Sequence, residues 1–352
     1  MKIVNLCSVH EIPWERQFIN ENTIWGGYKF VFNKNSNYDY LIVFDDIKKS
    51  IKVPEGFSNL IHIATEPPTI CKYHIKYLKQ FKFIVSIQKE IDHKGVIYSQ
   101  PGLNWHLGCN CKKILNFNDL SVLHLENKKK IISIITSNKK MTKDHIKRIN
   151  FSKNIKKYFG EKIDLYGRGF NDFEDKIITL QDYRFQIVIE NSSYENYFSE
   201  KLTDCILAGT YPIYYGCKNL SEYFPVNSFV QIDIDDFEES LKIIKNAISD
   251  NYDIKYKSDL IEAKRRILYE YNIFPMIAEI IDDIESGKNK SFNDVELYDS
   301  KLIPLRSEEF KKIKFSNFKY FIYLLSKKSR VLNFFVGIYI YIFDKIRKVV
   351  GV

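Results

Sequence analysis

Residues 185–230 read FQIVIENSSYENYFSEKLTDCILAGTYPIYYGCKNLSEYFPVNSFV, and they are the most informative part of the sequence. Its apolar beginning predicts a buried strand that ends at Glu190, followed by a polar loop over residues 191–197. The next residues predict a helix, because Gly209 stands where a helix C-cap is expected. A second apolar run then ends at Gly216. Strand, helix and strand in this order form the βαβ unit of a parallel sheet.

The start of the predicted helix carries an unusual charge. Ser199 is well placed to cap the helix, and Glu200 and Lys201 then occupy its first turn. The free backbone N–H groups and the dipole at such a terminus attract anions, whereas cations prefer the opposite end. A bound diphosphate would explain Lys201 in this place. A merely exposed lysine is the alternative that the pattern leaves open.

The same alternation of apolar strands and helical patterns extends over most of the chain. The predicted strands are rich in β-branched and aromatic residues: Lys2–Cys7, Tyr40–Phe44, Leu60–Thr65, Phe83–Ile87, Ile131–Thr136, Ile163–Tyr166, Phe185–Ile189, Tyr211–Tyr215 and Phe229–Ile232. The predicted helices lie between or after them: Asp144–Tyr158, Glu200–Ala208, Phe237–Ile248, Tyr256–Tyr271 and Phe274–Ile284. This pattern indicates an α/β protein with doubly wound, Rossmann-like parallel sheets.

A length of 352 residues favours two domains, and the sequence suggests where they divide. The series of strands is interrupted over residues 117–130, which are polar and then basic. We therefore expect an N-terminal domain over residues 1–125 and a C-terminal domain over residues 126–286, facing each other across a cleft. A linker and tail follow over residues 287–352. Dehydrogenases and kinases also have paired α/β halves, so this pattern alone selects no activity.

The net charge of +9 is concentrated at the end of the chain. Residues 311–352 hold ten Lys or Arg and one acid, Asp344, whereas the charges of the other residues balance. This distribution argues against a body that binds nucleic acid. The apolar run over residues 331–343 is too short to cross a membrane easily and has basic flanks. It predicts a basic amphipathic helix on an anionic membrane surface, with a helix packed on the body as the alternative.

Four motifs resemble those of glycosyltransferase family 10, the α-1,3/4-fucosyltransferases, in which F-E-N-S, Y-x-T-E-K, A-G-T-x-P-I-Y-x-G and E-Y-F-P-x-N-S-F follow one another. This chain carries them in the same order: IENS at 189–192, YFSEK at 197–201, AGTYPIYYG at 208–216 and EYFPVNSF at 222–229. Ser137–Asn138, Arg148 on the following predicted helix and IDLYGR at 163–168 add to the resemblance. Ser199 and Tyr215 depart mildly from it, since the family often has Thr and Trp there.

The resemblance implies a GT-B fold and an inverting transfer of fucose from GDP-fucose to a hydroxyl of a (N-acetyl)glucosamine-containing glycan. Arg148 and Lys201 would neutralise the GDP diphosphate, on which charge grows in the transition state. Asn191, Tyr197 and Glu200 would bind the nucleotide sugar. No cofactor is implied beyond this donor substrate, with divalent metal at most a stimulant, and no metal site is expected.

The general base that the family implies falls in the N-terminal half, where the resemblance is weaker. HIATEPP at residues 62–68 is similar to the family's E-S-P element, and it makes Glu66 the candidate base for the acceptor hydroxyl. A carboxylate that caps a turn is the alternative for Glu66. Lys147 is a rival to Arg148 on the same predicted helix, and Glu190 is expected to be structural. Arg168 is left without a role.

The resemblance and the basic tail together predict where the protein acts. The N-terminus lacks a signal-peptide pattern, and no apolar run is long enough to span a membrane. We therefore expect a bacterial, cytoplasmic enzyme that attaches peripherally to the inner face of the cell membrane. Its acceptor would be a lipid-linked glycan such as the O-antigen of lipopolysaccharide. Two alternatives stay open, namely the same fold with another nucleotide-sugar donor and a non-catalytic, membrane-bound binding protein.

Overall fold

Two sheets of mainly parallel strands organise the chain. The structure, a computed structural model, describes residues 1–287 apart from residues 35–36, 48–50, 52, 54–55, 74, 103, 124–127 and 141. The tail predicted over residues 311–352 lies outside the described residues, as does almost all of the predicted linker. In the described part of the chain, no helix is both long and apolar enough to cross a membrane.

The N-terminal sheet has the strand order β2-β3-β1-β4-β5-β6-β7, and only β2 runs antiparallel to its neighbour. Its strands are β1 Lys2–Ser8, β2 Ile24–Trp25, β3 Tyr28–Phe32, β4 Tyr40–Phe44, β5 Leu60–Ile63, β6 Phe83–Ser86 and β7 Val96–Tyr98. Every residue of β4 and β5 is buried, as expected of central strands covered on both faces. The short helices α1 Ile75–Leu78 and α2 Phe117–Ser121 accompany this sheet in the chain.

The C-terminal sheet has the order β12-β11-β10-β8-β9, and all its pairs are parallel. Its strands are β8 Lys130–Ile135, β9 Ile163–Tyr166, β10 Tyr183–Ile189, β11 Tyr211–Tyr215 and β12 Val230–Gln231. The helices that follow are α3 Lys143–Phe159, α4 Glu200–Leu207, α5 Phe237–Ser249, α6 Tyr252–Lys255, α7 Lys257–Tyr269 and α8 Ile273–Glu285. Short 3₁₀ helices lie at Trp14–Gln17, Ile19–Glu21, Gly160–Lys162, Lys176–Thr179 and Leu220–Glu222.

The predicted α/β class with doubly wound parallel sheets is confirmed. In each sheet the chain first builds outward on one side of a central strand and then on the other. The order reverses between β1 and β4 in the first sheet and between β8 and β10 in the second. Ligands of such sheets bind at this switch point, beyond the carboxyl ends of the strands. The switch point between β8 and β10 therefore marks where a site is expected.

Three apolar clusters hold these layers together. One fills a face of the N-terminal sheet, and another joins β8–β11 to α3 and α5. The third joins α4 and α7 to Trp105 and Leu107 of the segment between the two sheets. Helix α8 belongs to the first cluster, since Phe274 and Ile277 pack among the strands of the N-terminal sheet. The sequence division at residues 126–286 assigns α8 to the second domain, whereas its packing is with the first sheet.

Candidate functional site

A cavity of about 250 Å³ lies at the switch point of the C-terminal sheet. It is bounded by the carboxyl ends of β8, β9 and β10 and by the N-terminus of α4. Its lining includes four cationic side chains, Arg148, Arg168, Lys176 and Lys201, and two carboxylates, Glu200 and Asp204. The cavity therefore has an excess of positive charge where the fold already favours an anion.

Arg148 forms one wall of this cavity. It lies in the second turn of α3, which Thr142 caps by accepting a hydrogen bond from the backbone N–H of His145. The guanidinium is buried, with 5% exposure, and its Nη1 donates to Asn191 Oδ1 at 2.6 Å. Lys147, the rival from the sequence, points elsewhere and pairs with Asp235 on the surface. Of the two neighbours, the structure places only Arg148 in the cavity lining.

Lys201 is held by carboxylates at the N-terminus of α4. Its Nζ lies 3.2 Å from Glu190 Oε2 and 3.4 Å from Glu200 Oε1. Burial lowers the pKa of Lys201, but these two carboxylates outweigh burial and hold the pKa above its usual range. Glu190 also accepts hydrogen bonds from the backbone N–H and the hydroxyl of Ser199, the residue that caps α4. The carboxylates thus already offset the unfavourable place of a cation at a helix N-terminus.

Glu200 also belongs to a second charged group, which includes Lys176 and Asp204. Burial raises the pKa of Glu200, but Lys201, Lys176 and the nearby His106 outweigh it and hold the pKa well below its usual range. Lys176 Nζ pairs with Asp204 Oδ2 at 2.7 Å and donates to the backbone carbonyl of Glu200. Glu200 is therefore an ionised acceptor that faces the cavity at neutral pH.

Tyr197 and Asn191 lie beside the cavity rather than among its lining residues. Tyr197 is buried, with an exposure of 2%. Burial raises the pKa of its hydroxyl well above the usual range, and the negative charges of Glu190, Glu66 and Glu200 raise it further. The Tyr197 phenol is therefore protonated and can donate a hydrogen bond. Asn191 acts on the cavity through its hydrogen bond to Arg148.

Glu66 approaches the same region from the N-terminal sheet. It follows β5, and Gln88 Nε2 donates to the backbone carbonyls of Glu66 and Cys71 at 2.8 and 2.9 Å. Thr69 Oγ1 and Ser192 Oγ lie 2.6 Å apart, which joins the Glu66 loop to the loop that carries Asn191. The five predicted donor-site residues and Glu66 thus gather around one region between the sheets. Within the described residues, no group of three His, Cys, Asp or Glu could hold a metal ion.

Sequence reasoning missed several residues of this region. Lys176 and Asp204 line the cavity, and the backbone N–H of His106 donates to both Asp204 carboxylate oxygens. Asp204 could have been found, because it stands four residues after Glu200 and shares its helix face with it. Lys176 lies in a short 3₁₀ helix that the sequence pattern did not predict, and His106 lies in the segment between the two sheets. For these two, only the folded structure provides the signal.

Comparison with known proteins agrees with the motifs. Residues 125–252 match the family model described as glycosyltransferase family 10 (fucosyltransferase), C-terminal. This range includes Arg148, Asn191, Tyr197, Glu200 and Lys201 but not Glu66. This part of the chain is therefore similar to the C-terminal domain of glycosyltransferase family 10, the family that the motifs resemble.

Individual relatives match over the same part of the chain. The 4-galactosyl-N-acetylglucosaminide 3-alpha-L-fucosyltransferase 9 of Bos taurus is 29% identical over 137 residues, and that of Homo sapiens is 30% identical. Each match covers 37% of this chain and 36% of the relative, so the chain spans about a third of the length of these curated relatives. A crystal structure of an alpha1,3-fucosyltransferase has a TM-score of 0.49 at 17% identity, covering 85% of this chain and 92% of that one.

Proposed function

We propose that the protein is an inverting glycosyltransferase that moves fucose from GDP-fucose to a hydroxyl of a (N-acetyl)glucosamine-containing glycan. The observation that carries the proposal is the cavity at the switch point of the C-terminal sheet, which Arg148, Lys201 and Glu200 line. The match of residues 125–252 to a fucosyltransferase family model supports fucose as the transferred sugar. The names of the curated relatives support an α-1,3 linkage.

In this proposal the C-terminal domain stabilises the leaving group. As the bond between C1 of fucose and the β-phosphate oxygen breaks, negative charge grows on GDP. Arg148 and Lys201 offer preorganised positive charge for it, and their low exposure strengthens that attraction. Glu200 would accept hydrogen bonds from hydroxyls of the nucleotide sugar, because its carboxylate is ionised and reaches the cavity. Tyr197 and Asn191 would complete the donor site from its edge.

The N-terminal domain supplies the base in the same proposal. The carboxylate of Glu66 takes the proton of the acceptor hydroxyl while the hydroxyl oxygen attacks C1 of fucose. GDP leaves from the opposite face, so the anomeric centre is inverted in one displacement. The Gln88 hydrogen bonds hold the Glu66 loop, and the Thr69–Ser192 contact holds that loop against the donor domain. Such positioning matters because a base must lie within hydrogen-bond reach of the proton that it removes.

The first experiment follows nucleotide release from a panel of nucleotide sugars without added metal, with and without N-acetyllactosamine. We expect GDP release from GDP-fucose and a higher rate when the acceptor is present. Release from another donor alone would keep the transferase class and reject fucose. If GDP binds but no donor is turned over with any acceptor glycan tested, a non-catalytic binding protein replaces the proposal.

A matched pair of variants tests the base. Glu66→Gln removes the proton acceptor with little change in volume, and we expect transfer to fall by at least about 100-fold. GDP affinity should stay within about twofold of the wild-type value, since Glu66 acts on the acceptor. Glu15→Gln changes an exposed carboxylate of the same domain and serves as the control. Equal activities of the two variants would remove Glu66 from the mechanism.

We further propose that the acceptor is a lipid-linked glycan, such as a bacterial lipopolysaccharide O-antigen, and that residues 311–352 attach the enzyme to the inner face of the cell membrane. The ten basic residues of this segment support the second part. We expect the full chain to sediment with phosphatidylglycerol vesicles at low salt and to leave them at high salt. Equal sedimentation with phosphatidylcholine vesicles, or none with either, would reject this attachment.

A further inference from the structure

Two buried polar atoms of residues that line the cavity have no hydrogen-bond partner in the described part of the chain. They are the hydroxyl Oγ1 of Thr136 and the Nε of Arg148. Both residues line the cavity, and their exposures are only 3% and 5%. A buried polar group without a partner costs about 1–3 kcal/mol, so folded proteins rarely keep one without a reason.

The backbone of Thr136 is held in place, whereas its hydroxyl lacks a hydrogen-bond partner among the described residues. Its backbone N–H donates to the carbonyl of Tyr166 at 2.9 Å, which extends the pairing of β8 with β9. A Cβ at Gly167 would lie 1.9 Å from the Thr136 carbonyl oxygen, so the two chains meet as closely as glycine allows. The backbone of Thr136 is therefore fixed, while its hydroxyl has no partner among the described residues.

Arg148, like Thr136, is held by some of its polar groups while one of them has no partner among the described residues. Its Nη1 donates to Asn191, and its Nη2 lies 3.3 Å from Oγ of Ser137, the residue that follows Thr136. These contacts fix the plane of the guanidinium and leave the Nε–H without an acceptor among the described residues. An arginine held in this way presents a rigid edge, which suits the oxygens of a phosphate.

We propose that Thr136 Oγ1 and Arg148 Nε bind oxygens of the donor diphosphate, and that Thr136 is a further binding residue of this site. The inference rests on the proposed function, because it names contacts for the same nucleotide. The Nε–H of Arg148 can only donate and the hydroxyl of Thr136 can donate, so the acceptor oxygens of a phosphate suit both. The excess of cations in the cavity also favours a phosphate. Thr136 follows β8 at the switch point of the sheet, where ligands of doubly wound sheets bind.

Thr136→Val tests the proposal, because valine keeps the shape of threonine and removes the hydroxyl. We expect the affinity for GDP to fall about tenfold, as for a lost hydrogen bond to a charged group. The melting temperature of the free protein should stay equal or rise, since valine buries no unpaired polar atom. Thr136→Ser keeps the hydroxyl and should bind GDP within about twofold of the wild-type affinity.

The chain offers a matched control in Thr203. Its Oγ1 is also buried without a described partner, at 5% exposure, but Thr203 is not among the residues that line the cavity. Thr203→Val should therefore change the melting temperature in the same direction as Thr136→Val and leave GDP affinity unchanged. An equal loss of affinity in both variants would mean a general effect of removing buried hydroxyls and would overturn the proposal.

Calorimetry with GDP, inorganic pyrophosphate and guanosine separates the remaining outcomes. A loss for GDP and pyrophosphate, with none for guanosine, is the expected result. A loss for guanosine alone would move Thr136 to the nucleoside part and overturn the assignment. Wild-type affinity of Thr136→Val for GDP would mean that only water meets the hydroxyl, while the proposed function stands. If the wild-type protein binds pyrophosphate but not GDP, the phosphate contact stands and the nucleotide function fails. Binding of neither would reject both.

Discussion

Asn191 Oδ1 lies 2.6 Å from Arg148 Nη1, so the loop after β10 fixes the orientation of a guanidinium that α3 provides. The two residues are 43 positions apart, and the switch point of the sheet brings them together. A guanidinium that is held in advance loses little freedom when it meets a phosphate, and this favours both binding and catalysis.

Arg148→Lys should therefore lower the activity strongly, although the substitution keeps the positive charge. Lysine keeps the cation but loses the planar edge and the bond geometry to Asn191, and we expect kcat/KM for GDP-fucose to fall by about 100-fold. Lys147→Arg is the control, because Lys147 is exposed and pairs with Asp235 on the surface. Steady-state kinetics of the two variants with GDP-fucose measure this difference. A larger loss of kcat/KM for Lys147→Arg than for Arg148→Lys would show that Arg148 is not the cation that binds the donor.

Glu190 should contribute mainly to stability. Its buried carboxylate accepts from both groups of Ser199 and compensates Lys201, so Glu190→Gln leaves a half-buried cation with less negative charge. We expect the free energy of unfolding to drop by about 2–3 kcal/mol in urea titration. Glu161→Gln, at a fully exposed side chain, should change it by less than about 0.5 kcal/mol. Matching values for the two variants would contradict a structural role for Glu190.

Gln88 should act as a positioning residue for the Glu66 loop. Gln88→Met keeps the length of the side chain but removes both hydrogen bonds to the carbonyls of Glu66 and Cys71. We expect kcat to fall about tenfold while the Kd for GDP stays unchanged, because the donor site lies on the other sheet. Gln80→Met is the matched control, since buried Gln80 donates to the nearby carbonyl of Tyr77. A parallel rise in the Kd for GDP would indicate general unfolding instead.

His145 should make the stability depend on pH. Burial first, and then the positive charge of Arg148, lower the pKa of His145 from 6.5 to about 4. The unfolded chain takes up a proton below pH 6.5 while the folded chain does not, so stability is lost as the pH falls from 6.5 toward 4. Between pH 7 and pH 5 this residue accounts for a loss of about 2 kcal/mol.

Urea titrations of the wild-type protein and His145→Asn at both pH values measure that loss. The variant cannot titrate at this position, so its stability should fall by about 2 kcal/mol less than that of the wild type between pH 7 and pH 5. The difference between the two proteins at pH 7, where both side chains are neutral, gives the packing cost of the substitution. Identical slopes would show that His145 is not held neutral in the folded protein.

The sequence predicted the regular parts of the fold well, because strands buried on both faces read as continuous apolar runs. Strands β4, β9 and β11 have the predicted bounds, and the five long predicted helices differ from the structure by at most two residues at either end. Strand β3 was missed, although it is paired with β1 over five residues. Its neighbouring glycines, Gly26 and Gly27, and its short length gave a turn signal rather than a strand signal.

The candidate site was predictable where one contiguous segment supplies it. Residues 190–201 bring Glu190, Asn191, Glu200 and Lys201 to the end of β10 and the start of α4, and the resemblance to the family already pointed to this segment. Thr136 and Lys176 could not be found in this way. Their relevance depends on a cavity wall and on the absence of an acceptor for a hydroxyl, and neither property leaves a pattern in the sequence.

The packing of α8 on the N-terminal sheet has a mechanical consequence. The chain passes from the first sheet to the second before β8 and returns before α8, so two peptide connections join the halves. Two connections permit the halves to turn about one axis through both, but they resist twisting and sliding. Any rotation of one sheet relative to the other would therefore shift Glu66 with respect to Arg148 about the line that joins the two connections.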